Sequence, residues 1–224
     1  MATFDIKSSE GCRWIRIGLD SDDVRTERGA LLRMDGEISM DVPTPSLRAL
    51  WVSMFSDESV IRPHYAGTGE VYLDSTFGGY HLFKVRGDEK WILEHRCFWA
   101  SDGEVQLGIH RERLWTSFWA GQGLLWYKTT LRGRGQAVLS VDGPVEEIEL
   151  NDERVVLDGP YAVARTTGVT LRLKRPTRSW ISYLLSGQKL SNVYEGTGRL
   201  LVCTVPYWRQ RMQKDKSIDP LLYS

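Results

Sequence analysis

Cysteine is scarce and scattered in this chain. Cys12, Cys97 and Cys203 are the three it has in 224 residues. An odd number so widely separated cannot form the framework of a disulfide-stapled domain, so they read as small apolar residues in a reducing compartment. Histidine is also sparse: His64, His81, His95 and His110 include no His-x-His pair, and no close Cys or His spacing resembles a metal-ligand set. No Gly-x-Ser-x-Gly elbow occurs, which removes the anchor of a serine hydrolase. No apolar run reaches the ~18 residues of a spanning helix. The N-terminal residues lack the basic-then-apolar order of a signal peptide. A cytoplasmic protein is the resulting expectation. Neither sign of charge dominates, with 29 basic and 29 acidic residues, so bulk nucleic-acid binding is not expected.

Glycine and aromatic residues are present in quantity. Gly67-Thr68-Gly69, Gly133-Arg134-Gly135 and Gly196-Thr197-Gly198 lie 66 and 63 residues apart, and each runs into apolar residues of strand propensity. Asp35-Gly36, Asp102-Gly103 and Thr167-Gly168 keep a similar spacing and read as hairpin signals followed by alternating apolar positions. Apolar segments recur a third way, at 47–55, 114–119 and 180–185. Three kinds of landmark in one order imply one strand unit written three times, over about 25–75, 91–142 and 155–207. No helical pattern long enough for a βαβ crossover separates the strands. The expectation is a single all-β domain over 1–207, with 208–224 as a polar tail.

Taken in order, residues 1–19 read as one or two strands broken by Ser21-Asp22-Asp23, and Arg25–Met40 as a hairpin stopped by Pro43 and Pro45. Residues 46–55 suit a short helix capped by Ser46. Between the second and third copies, acids alternate with aliphatics from Val145 to Leu150, as in a half-exposed strand, and Asn151-Asp152-Glu153 reads as a turn.

At Val145–Leu150, and again at Val155-Val156-Leu157-Asp158-Gly159-Pro160-Tyr161-Ala162-Val163-Ala164, the chain resembles the AIM24 family. Arg28-Gly29-Ala30-Leu31-Leu32-Arg33-Met34-Asp35-Gly36 is similar to the family's opening pattern, and Gly121-Gln122-Gly123-Leu124 to its Gly-Glu-Gly-Leu. The resemblance runs over roughly residues 10–207. It implies a TRAP-like double-layered β architecture, like that of the trp RNA-binding attenuation protein, and oligomers. It brings no enzymatic activity, cofactor or set of functional residues. Asp57-Glu58-Ser59 and Gln188-Lys189 depart from the family's glycine-flanked acid.

The residues themselves offer one candidate contact surface. Trp51, Trp115, Trp119 and Trp180, with Leu184, fall in the recurring apolar segments, which suit the open ends of the β layers, a subunit interface or a hydrophobic contact. Arg175 and Arg178 belong to a basic run in the third copy that holds no acid from Val169 to Tyr194. Basic side chains beside aromatics suit an anionic membrane surface. The acids of 146–153 could pair with that run, between subunits or within one. The leading reading is a non-enzymatic oligomeric scaffold or protein-interaction module, with self-association, a protein partner or an anionic membrane surface as its contacts. A lipid or small hydrophobic ligand between the β layers is the alternative. A metal-dependent enzyme is the distant one and requires His95 and His110 to converge with an acid, while Cys97 beside His95 on one strand face is the only nucleophile arrangement in view.

Overall fold

The computed structural model describes residues 1–43, 62–75, 78–111, 127–157, 159, 161–174 and 191–205. Among these every regular element is a strand. In chain order they are β1 (Thr3–Ser9), β2 (Cys12–Thr26), β3 (Leu31–Asp41), β4 (His64–Leu73), β5 (Gly79–Val85), β6 (Lys90–Leu93) and β7 (Phe98–Asp102). Then follow β8 (Gln106–Arg111), β9 (Tyr127–Arg132), β10 (Gly135–Val141), β11 (Val145–Leu157), β12 (Ala162–Thr166), β13 (Val169–Lys174) and β14 (Ser191–Cys203). They form two seven-stranded sheets. One has the order β3-β4-β2-β7-β10-β5 with β1 on β2, and the other β11-β14-β12-β6-β9-β8 with β13 on β14. All pairings are antiparallel.

The expected all-β class is therefore observed. The segmentation into short hairpins differs from expectation at several points. Ser21-Asp22-Asp23 does not end a strand, because β2 runs through it to Thr26. Ser21 takes a left-handed φ of +55°, forming a bulge opposite Gly67-Thr68, and its N–H donates to Thr68 Oγ1 at 3.2 Å. Asn151-Asp152-Glu153 is likewise no turn: β11 is continuous, Asp152 sits at +58°, and its N–H donates to Thr197 Oγ1 at 3.1 Å. A threonine hydroxyl thus satisfies the amide that each bulge frees from the ladder.

Two of the three Gly-x-Gly motifs are interior to long strands and are not turns: Gly67-Thr68-Gly69 lies within β4 and Gly196-Thr197-Gly198 within β14. Asp35-Gly36 lies mid-strand in β3, paired with Glu70 and Gly69, so β3 forms its ladder with β4 and not a hairpin with β2. Close backbone approach is the reason. A Cβ on Gly69, at φ +150°, would stand 2.1 Å from the carbonyl oxygen of Asp35. Only Gly133-Arg134-Gly135 joins two strands, β9 and β10. The helix expected at 46–55 lies outside the described residues.

Alternation then places the core. Ile15, Ile17 and Leu19 of β2 face Phe4, Val71 and Leu73 in one buried cluster of the first sheet. Trp91 and Leu93 of β6, Phe98 of β7, Leu131 of β9, Leu139 of β10 and Leu201 of β14 form a second cluster with members from both sheets. Leu150, Leu171, Tyr194 and Leu200 belong to a third, within the second sheet. Each fully buried side chain of this size contributes roughly 1.5–3 kcal/mol. Across β1, β2 and β4, Arg16 donates to Asp5 at 3.0 Å and to Glu70, which also accepts from the Tyr72 hydroxyl. The hydrogen bonds from Arg16 and then Tyr72 hold the Glu70 carboxyl down at about 2.

Candidate interaction surface

Trp51, Trp115, Trp119, Arg175, Arg178, Trp180 and Leu184, the contact residues expected from sequence, all lie outside the described residues. From the basic run, Arg172 is described, and it pairs with Glu195 of β14 at 2.8 Å. Glu147, one of the acids expected to face that run, instead accepts from Arg199 at 2.7 Å.

The metal reading lacks its constellation, since no group of three or more His, Cys, Asp or Glu side chains that could hold a metal occurs among the described residues. His95 lies in the turn between β6 and β7, not on a strand, while His110 is on β8. Cys97 follows that turn and its thiol donates to the His95 carbonyl at 3.6 Å, so the shared strand face expected for His95 and Cys97 is not formed.

A buried charge cluster takes shape where β12, β6 and β9 lie side by side in the second sheet. Glu94, just beyond the end of β6, accepts from Lys128 Nζ of β9 at 2.9 Å and 2.7 Å through its two oxygens, and from Arg165 Nη1 of β12 at 3.4 Å. Lys128 is 2% exposed and Arg165 3%. Arg165 Nε also donates to the Val169 carbonyl at 3.2 Å. Two residues before β4, Arg62 reaches Glu27 and Thr129 and lies 4.6 Å over the Phe98 ring, and burial pushes its guanidinium down to about 10. These groups lock strands together and are enclosed, so they are structural. Sequence gave little sign of them, because Lys128 and Arg165 sit among Thr and Ala positions with no alternation to mark which face they occupy.

Between β5, β10 and the start of β11 lies a cleft of about 750 Å³, whose lining includes Lys84, Arg86, Asp88, Arg134, Glu147 and Arg199. Arg199 is fixed there: it donates to Glu89 at 2.9 Å and to Glu147, and its guanidinium packs 4.8 Å over the Trp91 ring. Burial lowers the pKa of His81 on the cleft wall, against an opposing pull from Glu147. With Arg199 balanced by two carboxylates, the exposed Lys84, Arg86 and Arg134 against Asp88 leave the cleft positive.

The outer strands show a different chemistry. Among the described residues β3 pairs only with β4, and β11 only with β14. Both are exposed along most of their length. Leu32 is 61% exposed, Met34 44% and Met40 50% on β3, and Val156 49% on β11. Apolar side chains on open sheet edges are the feature that soluble proteins ordinarily avoid or cover.

A family model described as mitochondrial biogenesis AIM24 matches residues 4–205. Among solved structures, a crystal structure of a protein from Streptococcus pyogenes superposes with a TM-score of 0.70 at 17% identity, covering 97% of this chain and 100% of that one. That likeness shows the fold alone. No match is found among curated proteins.

Proposed function

The chain belongs to the AIM24 family, and from that premise we propose that it is a non-catalytic β scaffold that works by self-association. The observation that carries this reading is the pair of open outer strands, β3 and β11, with Leu32, Met34, Met40 and Val156 exposed on them. Burying such side chains between subunits removes apolar area from water at roughly 25 cal/mol per Å² and closes the open edges at the same time.

We also read the chain as three copies of one three-strand unit in a TRAP-like double-layered arrangement within a single domain. Supporting this are the two equivalent bulges, Ser21 on Thr68 and Asp152 on Thr197. In the middle copy, the breaks between β5 and β6 and between β9 and β10 take the place of these continuous strands. The apolar and basic segments carrying Trp180, Leu184, Arg175 and Arg178 are the proposed site for a protein partner or an anionic membrane surface.

Light scattering on the intact chain tests the reading. A mass of two or more chains at micromolar concentration is the expected result, and a monomer at every concentration overturns it. Trp180→Ala/Leu184→Ala measured beside it assigns the contact. Loss of mass places those residues in the subunit interface, whereas unchanged mass leaves them for an outside surface. The cleft at Lys84, Arg86 and Arg134 favours a second reading, a small anionic ligand, in place of the hydrophobic ligand expected from sequence.

A further inference from the structure

Resting on the self-association reading, we propose that the partner is a second copy of this chain and that it docks by strand addition, β3 of one copy against β11 of the next, with Met34 opposite Val156. The register comes from two crossings that the chain already makes. In the first sheet β2 pairs with β7 through Val24↔Asp102, Arg25↔Ser101 and Thr26↔Ala100. In the second sheet β6 pairs with β12 through Trp91↔Thr166, Ile92↔Arg165 and Leu93↔Ala164.

The two crossings are the same crossing. Val24 lies opposite Tyr65, two residues before Gly67, and Trp91 lies opposite Leu131, two residues before Gly133. The partner positions also agree. Val169 faces Gly196, and Val105 directly precedes Gln106, which faces Arg132, the residue before Gly133. Asp102 stands three residues before Val105, and Thr166 three before Val169. The first strand of one unit therefore meets the second strand of the following unit at a fixed offset.

Applied a third time, the rule links the ends of the chain. Val155 lies opposite Tyr194, two residues before Gly196, so it is the counterpart of Val24 and Trp91. Ile38 faces Gly67 and is the counterpart of Val105 and Val169. Three residues before Ile38 is Asp35, so Val155 pairs with Asp35, Val156 with Met34 and Leu157 with Arg33. This third crossing is absent within the chain, where β3 and β11 end different sheets. Two of the residues it would join, Met34 at 44% and Val156 at 49%, are among the most exposed large apolar side chains described. Arg154 would then stand opposite Gly36, on the same sheet face as Met34 and Val156. The two surfaces are different, so the contact is head-to-tail and generates a ring or an open chain of copies.

Cysteine pairing tests the register. Opposed residues in an antiparallel ladder have Cα atoms about 4.5–5.5 Å apart, inside the range of about 4.4–6.8 Å that a disulfide accepts. In a Cys12→Ser background, Met34→Cys chains are co-expressed with Val156→Cys chains and oxidised mildly. The expected result is an interchain disulfide, formed several-fold more than in the control that pairs Met34→Cys with Arg154→Cys, two residues out of register. Equal cross-linking of both pairs, or none in chains that still scatter as oligomers, overturns the strand-addition contact while leaving self-association intact. A monomeric mass overturns both. A Met34→Cys/Val156→Cys chain that closes only on itself overturns the second copy as the occupant. As a measurement free of thiols, Met34→Lys and Val156→Glu are each expected to weaken association about tenfold and the two in one chain to restore most of it, since lysine then faces glutamate across the ladder. Additive weakening would overturn the pairing.

Discussion

Replacing Glu94 by Gln keeps the side chain's volume and one acceptor oxygen, but it removes a carboxylate that Lys128 and Arg165 share. The second carboxylate oxygen, 2.7 Å from Lys128 Nζ, becomes an NH₂ group. That group donates, and so does the ammonium it would face. The two cations are 2% and 3% exposed, so water offers them little relief. Breaking a buried pair by removing one partner costs about 3–5 kcal/mol, because an uncompensated charge is left behind. In a chain of this size each kcal/mol lowers the melting temperature by about 2–4 °C, so a fall of roughly 6–20 °C is expected. The assay is thermal and urea unfolding of both proteins at one fixed protein concentration, since self-association would otherwise shift the apparent stability. Lys128→Met removes a cation and leaves Glu94 with Arg165, so it is expected to cost less than Glu94→Gln. A loss below about 1 kcal/mol for Glu94→Gln would refute the picture of a dry, mutually satisfied cluster.

Two further outcomes follow from backbone and charge. Gly69→Ala places a Cβ 2.1 Å from a backbone carbonyl that cannot rotate away, whereas Gly29→Ala at φ +75° meets nothing within 4 Å. Urea midpoints should therefore show Gly69→Ala losing more than the ~1–2 kcal/mol of a left-handed alanine that Gly29→Ala costs, and equal losses would refute the close crossing of β3 over β4. The depressed Glu70 carboxyl contributes stability that is complete above its ordinary value of 4.5 and is lost as pH falls towards about 2. The stability difference between the native chain and Arg16→Met is thus expected to be full at pH 6 and to shrink across that window. A difference unchanged down to pH 2.5 would exclude the Arg16–Glu70 contact as its source.

Family membership was legible in the sequence, from the motifs at 28–36, 121–124, 145–150 and 155–164 taken together. So was the all-β class, since period-two alternation and the lack of any crossover helix are local properties. The exposure of β11 could also be read from its acids, which alternate with aliphatics from Val145 to Leu150. What local pattern could not say is whether a glycine turns the chain or lets another strand pass. Gly67-Thr68-Gly69 and Gly133-Arg134-Gly135 look alike in sequence, yet one lies inside β4 and the other divides β9 from β10. The difference lies in the strand partners, which are distant in sequence: backbone carbonyls come close at both, Glu37 at Gly67 and Glu104 at Gly133, but β9 and β10 belong to different sheets. The same holds for Ser21 and Asp152, polar residues that read as breaks until a threonine hydroxyl from another strand accepts their amide protons. Nor could sequence mark Glu94, Lys128 and Arg165 as neighbours, because only the lateral order β12-β6-β9 brings three separate segments together. Residue types and their periods fixed which segments are strands. The order and register of those strands decided which charges are buried together and which apolar side chains remain on open edges.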